Sequence, residues 1–295
     1  MKSFFRAFFV TLLVVALVAV GFTAYLNLGK DSDVKTALSD LQNSNEKFQV
    51  LLIGVDSLDS KRAQNTRSDV MILLDVDGEK DKVSLISIPR DSRVEIEDHG
   101  KTKVNHAYAY GRAELALDTV NENFDLSVPY YIVVDYGFVK DVVDIVGGVE
   151  VDVPMDMDYE DPSADPPLSI HLKKGLQTLN GDEALQFLRF RKGYKNADLD
   201  RVKAQQAFMS AFLSKLKSIE GVKHAPSLLT SYMDHATSNM PVSKVSRMGL
   251  TAISAGQENF ESATLPGTPE MIDGLSYYLV DHDEAEKLFK QMNVK

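Results

Sequence analysis

An uncharged run of 20 residues, Ala7–Leu26 (AFFVTLLVVALVAVGFTAYL), constrains this chain more than any other stretch. At about 1.5 Å per residue, one helix of that length crosses the roughly 30 Å hydrocarbon core of a bilayer. Lys2 and Arg6 precede it and the next charge is Lys30, so the short basic leader is expected inside the cell and the rest outside. A cleaved secretory signal is the competing reading, but its apolar region runs only about 7 to 15 residues before small residues at the cleavage site. Gly21, Thr23 and Ala24 make a poor cleavage pattern, with Tyr25 and Leu26 directly behind. The expected organisation is a cytoplasmic leader at 1–6, a retained anchor at 7–28, a stalk at 29–47 and an extracellular domain at 48–295.

Charge narrows what such a domain can bind. The chain holds 32 Lys and Arg against 43 Asp and Glu, and two of the cations belong to the leader. Nucleic-acid surfaces draw affinity from accumulated positive charge, so nucleic acid is disfavoured as a partner. The absence of Cys removes disulfides, thiol chemistry and acyl anchoring through cysteine, leaving the fold to rest on its core. There is no P-loop, no dinucleotide glycine pattern, no nucleophile elbow and no HExxH. His99, His106, His171 and His224 stand without metal-ligand spacing.

Phe48–Asp56 reads as a buried strand ending in a glycine-containing turn. Val70–Val76 and Lys82–Ile88 read as two strands joined through Asp77 and Gly78. That places Asp69 at the entrance of one strand and Arg90 at the exit of the next, at the same sheet end if the pair is antiparallel. A helix over Asn105–Glu122, a strand at Tyr130–Val134, a helix over Gly137–Ile145 and a strand at Val149–Val153 follow. Asp156–Pro167, acidic and with three prolines, is expected to be a loop. Glu183–Phe190 and Arg201–Lys217 read as helices, the second with Val202, Met209, Phe212, Leu213 and Leu216 on its apolar face. Arg201 and Gln205 then point to one site, with Phe208 packed below. Two further helical stretches, near Val222–His235 and Val242–Ala255, precede a short strand near Tyr277 and a terminal helix from Asp283. This order predicts an α/β fold: a partly antiparallel sheet with helices on both faces.

Charged residues crowd the ends of these apolar elements: Asp56, Arg67, Asp69, Arg90, Asp91, Arg93 and Lys103, then Arg189, Arg191 and Arg201. Carboxylates hold a hard cation and guanidinium forks hold phosphate oxygens, so the mixture suits a phosphate ester bridged by a divalent ion. Surface ion pairs flanking an acidic sheet protein are the plainer explanation of the same pattern. Arg189 and Arg191 stand about 200° apart on a regular helix, and share one ligand only where the helix ends.

Five blocks, LLIGVD (Leu51–Asp56), RSDVMILL (Arg67–Leu74), SLISIPRDSRV (Ser84–Val94), KVNHAYAYG (Lys103–Gly111) and GGVEVDVP (Gly147–Pro154), occur in one order. LNGDEALQFLRFR (Leu179–Arg191) and DLDRVKAQQ (Asp198–Gln206) continue the series. In these blocks the chain resembles the LytR-CpsA-Psr family, the cell-wall glycopolymer ligases of mainly Gram-positive bacteria. The resemblance implies an α/β/α sandwich with a central mixed, partly antiparallel sheet and an apolar groove for a polyprenyl chain. It implies transfer of an anionic glycopolymer, such as wall teichoic acid or capsular polysaccharide, from undecaprenyl pyrophosphate to a muramic acid hydroxyl of peptidoglycan. A phosphodiester would form without any nucleotide.

By the same resemblance, Asp56 and Asp69 would hold Mg²⁺, with Mn²⁺ as a substitute. Arg67, Arg90, Arg189, Arg191 and Arg201 would clamp the pyrophosphate, assisted by Lys103 and by Gln205, which would orient oxygens. Asp91 and Asp198 would serve as base or as organisers of the arginines. The chain departs from the family at Leu58, where a cation is usual, and at Asp200 and Ala204, where the family often has a glycine before the helix-start arginine and a second arginine three residues after it. Two other classes stay open on the sequence: a prenyl-pyrophosphate phosphohydrolase using water as acceptor, and a non-catalytic anchored protein that binds the lipid-linked glycan.

Overall fold

The computed structural model describes residues 47–55, 57, 67–162, 167–190, 225–241 and 259–295, together with 204, 207–208, 211–212, 215, 244–245, 247–248 and 251. The leader and anchor, and all of the expected stalk but Lys47, lie outside the described residues; among those described, no helix is long and apolar enough to cross a membrane.

In chain order the strands are β1 (Phe48–Val55), β2 (Ser68–Asp77), β3 (Lys82–Ile88), β4 (Arg93–Ile96), β5 (Gly100–Lys103), β6 (Tyr130–Val134) and β7 (Val149–Val153). They continue with β8 (Met157–Asp161), β9 (Leu168–Leu172), β10 (Gly175–Leu179), β11 (Thr237–Ser238), β12 (Phe260–Thr264), β13 (Gly267–Ile272) and β14 (Leu275–Val280). The helices with described bounds are α1 (Asn105–Phe124), α2 (Tyr136–Ile145), α3 (Gly181–Arg189), α4 (Ala225–His235) and α5 (His282–Gln291).

The central sheet runs β11-β6-β1-β2-β3-β12. β1, β2 and β3 form an antiparallel meander, while β6 pairs with β1 and β12 with β3 in parallel. Successive residues of β1 serve two separate cores. Val50 and Leu52 pack with Phe138, Val142 and Leu188 from α2 and α3; Leu51, Ile53 and Val55 pack with Ala113, Val120 and Phe289 from α1 and α5. A strand covered on both faces has no polar side to show, which is why LLIGV reads as an unbroken apolar run. The architecture is therefore α/β with helices on both faces of a mixed sheet, as expected.

Two local features hold the helices against the sheet. Gly147 and Gly148, at φ +78° and +83°, follow the C-cap of α2, and a Cβ on Gly148 would meet the Leu179 carbonyl oxygen at 3.0 Å. Asn180 caps α3 in a reciprocal capping box with Glu183, and the Gly181 amide donates to Asp144 Oδ1 at 2.7 Å, tying α3 to α2.

The expected loop at Asp156–Pro167 is corrected in part: Met157–Asp161 is strand β8, paired antiparallel with β9. Met157 is buried against the core, while Asp158 and Glu160 alternate outward and bond His171. Acidity marked the solvent face of a strand here. Of the expected helix at Arg201–Lys217, Val202, Met209, Leu213 and Leu216 lie outside the described residues. Phe208 and Phe212 are fully buried, and Phe208 stacks on Phe187 with ring centroids 6.0 Å apart.

Candidate functional site

One end of the sheet gathers the charged blocks. Pairing of Met71 with Ile88 carries Asp69 opposite Arg90 two residues on, and Arg90 Nη1 donates to Asp69 Oδ1 at 2.6 Å. The antiparallel arrangement conditional in the sequence is thus the one adopted. The pair is open to solvent, with 42% of the Arg90 side chain and 30% of the Asp69 side chain exposed. β1 reaches the same end through a register shift between Gly54 and Val55, the kind of bulge that re-aims a strand near a site. Gly54 pairs in parallel with Val134, so β6 ends here too. Asp135 follows at once, buried, its carboxylate capping α2 by accepting from the Phe138 amide at 2.9 Å.

Beyond Arg90 the chain folds back on itself. Asp91 Oδ1 accepts from Lys103 Nζ at 3.0 Å, and its other oxygen lies 4.0 Å from Arg90 Nε. Register in the small β4-β5 hairpin sets Arg93 opposite Lys103. The Asn105 amide then donates to the Arg90 carbonyl at 3.2 Å, fixing the start of α1 against the exit of β3. Asp69, Arg90, Asp91 and Lys103 form one connected cluster, although 34 positions separate its ends.

Cations gather at this end of an otherwise acidic chain. His106, in the first turn of α1, is held below the ordinary histidine range chiefly by burial and then by the charges of Arg67 and Lys103, with Asp91 opposing them. Arg67 is exposed at the entrance of β2. Arg189 is the last residue of α3, and its guanidinium stands 5.0 Å from the centre of the Tyr136 ring, the first residue of α2 at the β6 end. Phe190 is extended (φ −64°, ψ 129°), so the helix ends between Arg189 and Arg191, which is the condition for both to reach one ligand. The helix stops there, three residues before Gly193.

Asp56, Arg191, Asp198, Arg201 and Gln205 lie outside the described residues, as do Leu58 and Asp200. Ala204 is 7% exposed within the apolar core, a place suited to a small side chain.

Tyr277 and Tyr278 lie beyond the blocks that carry the resemblance, and nothing in the sequence assigns them a place at the site. The Tyr277 ring has Arg93 5.7 Å and Lys103 5.8 Å from its centre, and the Tyr278 amide donates to the Asp91 carbonyl at 2.8 Å. The β13-β14 hairpin thereby backs the segment that carries Arg90 and Asp91.

Of the two carboxylates expected to hold a divalent cation only Asp69 is described; it is partly exposed and paired with the Arg90 guanidinium, and no group of three or more His, Cys, Asp or Glu gathers among the described residues. Mg²⁺ commonly binds through one or two carboxylates and takes its other oxygens from substrate phosphates and water.

The profile of the LytR_cpsA_psr family matches residues 13–294. The polyisoprenyl-teichoic acid–peptidoglycan teichoic acid transferase TagU of Enterococcus faecalis is 30% identical over 308 residues, covering 100% of this chain and 99% of the relative. The Bacillus subtilis transferase TagT is 28% identical, covering 91% of this chain and 83% of its own length. Among solved structures, B. subtilis TagV superposes with a TM-score of 0.63 at 25% identity over 85% of this chain and 97% of that one. TagT bound to LIIa-WTA superposes with a TM-score of 0.60 at 28% identity over 84% and 90%.

Proposed function

The chain belongs to the LytR-CpsA-Psr family, and from that premise we propose that it transfers an anionic glycopolymer, a wall teichoic acid or capsular polysaccharide, from undecaprenyl pyrophosphate to a peptidoglycan muramic acid hydroxyl. The acceptor oxygen bonds to the glycan-bearing phosphorus, undecaprenyl phosphate leaves, and a phosphodiester joins glycan to wall. The bond to the leaving phosphate carries the energy, so no nucleotide is needed.

The observation that supports this most is the Asp69–Arg90–Asp91–Lys103 cluster at the strand ends. A site that pairs accessible cations with carboxylates can exchange its internal ion pairs for a pyrophosphate and a cation. Arg90 would turn from Asp69 to a phosphate oxygen, and Asp69 would regain an oxygen for a metal. Arg67 and Lys103 would hold the same anion from the α1 side, and Arg189 with Arg191 from the α3 side. Arg201 and Gln205 would complete the clamp, with Asp56 beside Asp69 as metal ligand. Mg²⁺, or Mn²⁺ in its place, would neutralise the pyrophosphate and polarise the phosphoryl group when bound. Asp91, engaged by Lys103 at 3.0 Å and near Arg90, and Asp198 would serve as base or as organisers of the arginines. The prenyl chain would run into an apolar groove leading from this mouth, with the 7–28 anchor keeping the domain beside its lipid donor and outside the cell, where the peptidoglycan lies.

The test is a Mg²⁺-dependent reaction of the full chain with a prenyl-pyrophosphate-linked glycan and a peptidoglycan oligomer, with product linkage read by mass spectrometry. A phosphodiester conjugate supports the ligase. Free glycan phosphate in its place would favour the hydrolase, and lipid binding without product the anchored binding protein.

A further inference from the structure

The turn that joins β4 to β5 packs a histidine against α1. His99 closes this turn, its amide donating to the Ile96 carbonyl at 2.9 Å, with Asp98 (φ +59°) and Gly100 (φ +67°) in the left-handed region on either side of it. The His99 ring stacks on Tyr110 of α1, with centroids 4.1 Å apart and planes 22° from parallel. One turn earlier on the same face of the helix, the His106 ring stands 5.8 Å from Tyr110, tilted by 59°. His106 is held in its turn by Thr102, whose Oγ1 lies 2.9 Å from His106 Nδ1.

Of the large hydrophobic side chains that stand open to solvent among the described residues, Tyr110 is the aromatic one, at 50% exposure. With His99 against one face of the ring, water reaches it from the other. A lone exposed ring on a soluble surface needs no explanation. Tyr110 differs in where it stands and in how it is held. His106 lies close enough to Arg67, Lys103 and Asp91 for their charges to act on it, and Tyr110 follows one helical turn, roughly 5.4 Å, further on. The ring therefore comes next in line after cations that would hold the pyrophosphate, and two other rings brace it before any ligand arrives.

A sugar bonded to that pyrophosphate has a face this ring can use. The C–H hydrogens of a pyranose carry slight positive charge and meet the negative face of an aromatic ring, while the hydroxyls stay at the wet edge. Tyrosine offers such area at low cost in side-chain ordering, and the bracing lowers that cost further.

We propose that Tyr110 is a glycan-binding residue of the donor site: the open face of its ring, backed by His99, stacks on a sugar of the donor close to the pyrophosphate. This rests on the glycopolymer reading above.

The experiment is calorimetric binding to the full-length chain in detergent micelles with Mg²⁺. Two ligands are compared: farnesyl pyrophosphate, and the same molecule carrying a disaccharide. The wild type is expected to bind the sugar-bearing ligand more tightly, and Tyr110→Ala to shrink that preference about five- to tenfold, the worth of one aromatic contact. Affinity for farnesyl pyrophosphate should be unchanged in that variant, which also shows that it is folded, and Tyr110→Phe, which keeps the ring, should retain the preference. Equal loss on both ligands, no change in preference, or a wild type that does not distinguish them would each overturn the proposal. A peptidoglycan oligomer titrated alone separates the two glycans: weakening there by Tyr110→Ala, with the donor preference intact, would assign the ring to the acceptor and overturn it as well. A Tyr110-dependent preference in a chain that forms no conjugate would sink the transfer reading while leaving this one standing.

Discussion

Arg90 illustrates how a single residue separates stability from function. Its contact with Asp69 is short but open to water, at 42% and 30% side-chain exposure, and exposed ion pairs contribute about 1 kcal/mol or less. Arg90→Ala is therefore expected to leave the melting temperature within about 3 °C of wild type while lowering transfer by at least about 100-fold, the usual cost of a lost charge-stabilising group; paired melting and turnover measurements check both. His106 reports the same field. Its pKa lies below the ordinary value, so the native state refuses a proton that the unfolded chain accepts once the pH falls below the unfolded pKa of about 6.5. The stabilisation is present above that pH and lost as the pH drops through the folded value. Inorganic pyrophosphate bound between Arg67 and Lys103 would offset the cations that depress it. An NMR titration with Mg²⁺ and pyrophosphate is expected to raise the His106 pKa, and an unchanged value would place the anion elsewhere.

The elements show what periodicity can and cannot convey. β3, β6 and β7 fall on the spans expected from their apolar runs, because strands buried on one or both faces leave a run or alternation that water would not tolerate elsewhere. The same logic misread β8, whose outward carboxylates looked like loop polarity although Met157 alternates inward. The β13-β14 hairpin was seen only as a short strand, since several of its residues are exposed and the buried pattern is faint. Arg189 depends on the hold of α3: Asn180→Ala would remove the capping box at a cost of about 1 kcal/mol. It should lower the melting temperature modestly and raise the KM for donor more than it lowers kcat, because Arg189 lies at the far end of the loosened helix. A kcat loss with unchanged KM would detach Arg189 from donor binding.

In the whole molecule, strands distant in sequence deliver their charges to one edge. The Asp69–Arg90 meeting was legible because a hairpin turn and two strand lengths determine it. Lys103 joining Asp91 was not, since it follows from the β4-β5 hairpin: β4 alternates, with Val94 and Ile96 buried, but its partner GKTK holds no apolar residue to mark it as a strand. The likeness in ordered blocks supplied roles that charge at strand ends suggests only as a class. A mutually paired Asp69 and Arg90 also predicts linkage: cation and pyrophosphate each release the partner the other needs, so each should tighten the other. Calorimetry of pyrophosphate with and without Mg²⁺ is expected to show that coupling in the wild type and a weaker one in Asp69→Asn.

The most direct measurement is the linkage of product formed from prenyl-pyrophosphate-linked glycan and peptidoglycan oligomer, compared between the wild type and Asp69→Ala. The account predicts a Mg²⁺-dependent phosphodiester conjugate that the substitution abolishes. A conjugate formed equally well by Asp69→Ala, or no conjugate from a wild type that binds both substrates, would contradict it.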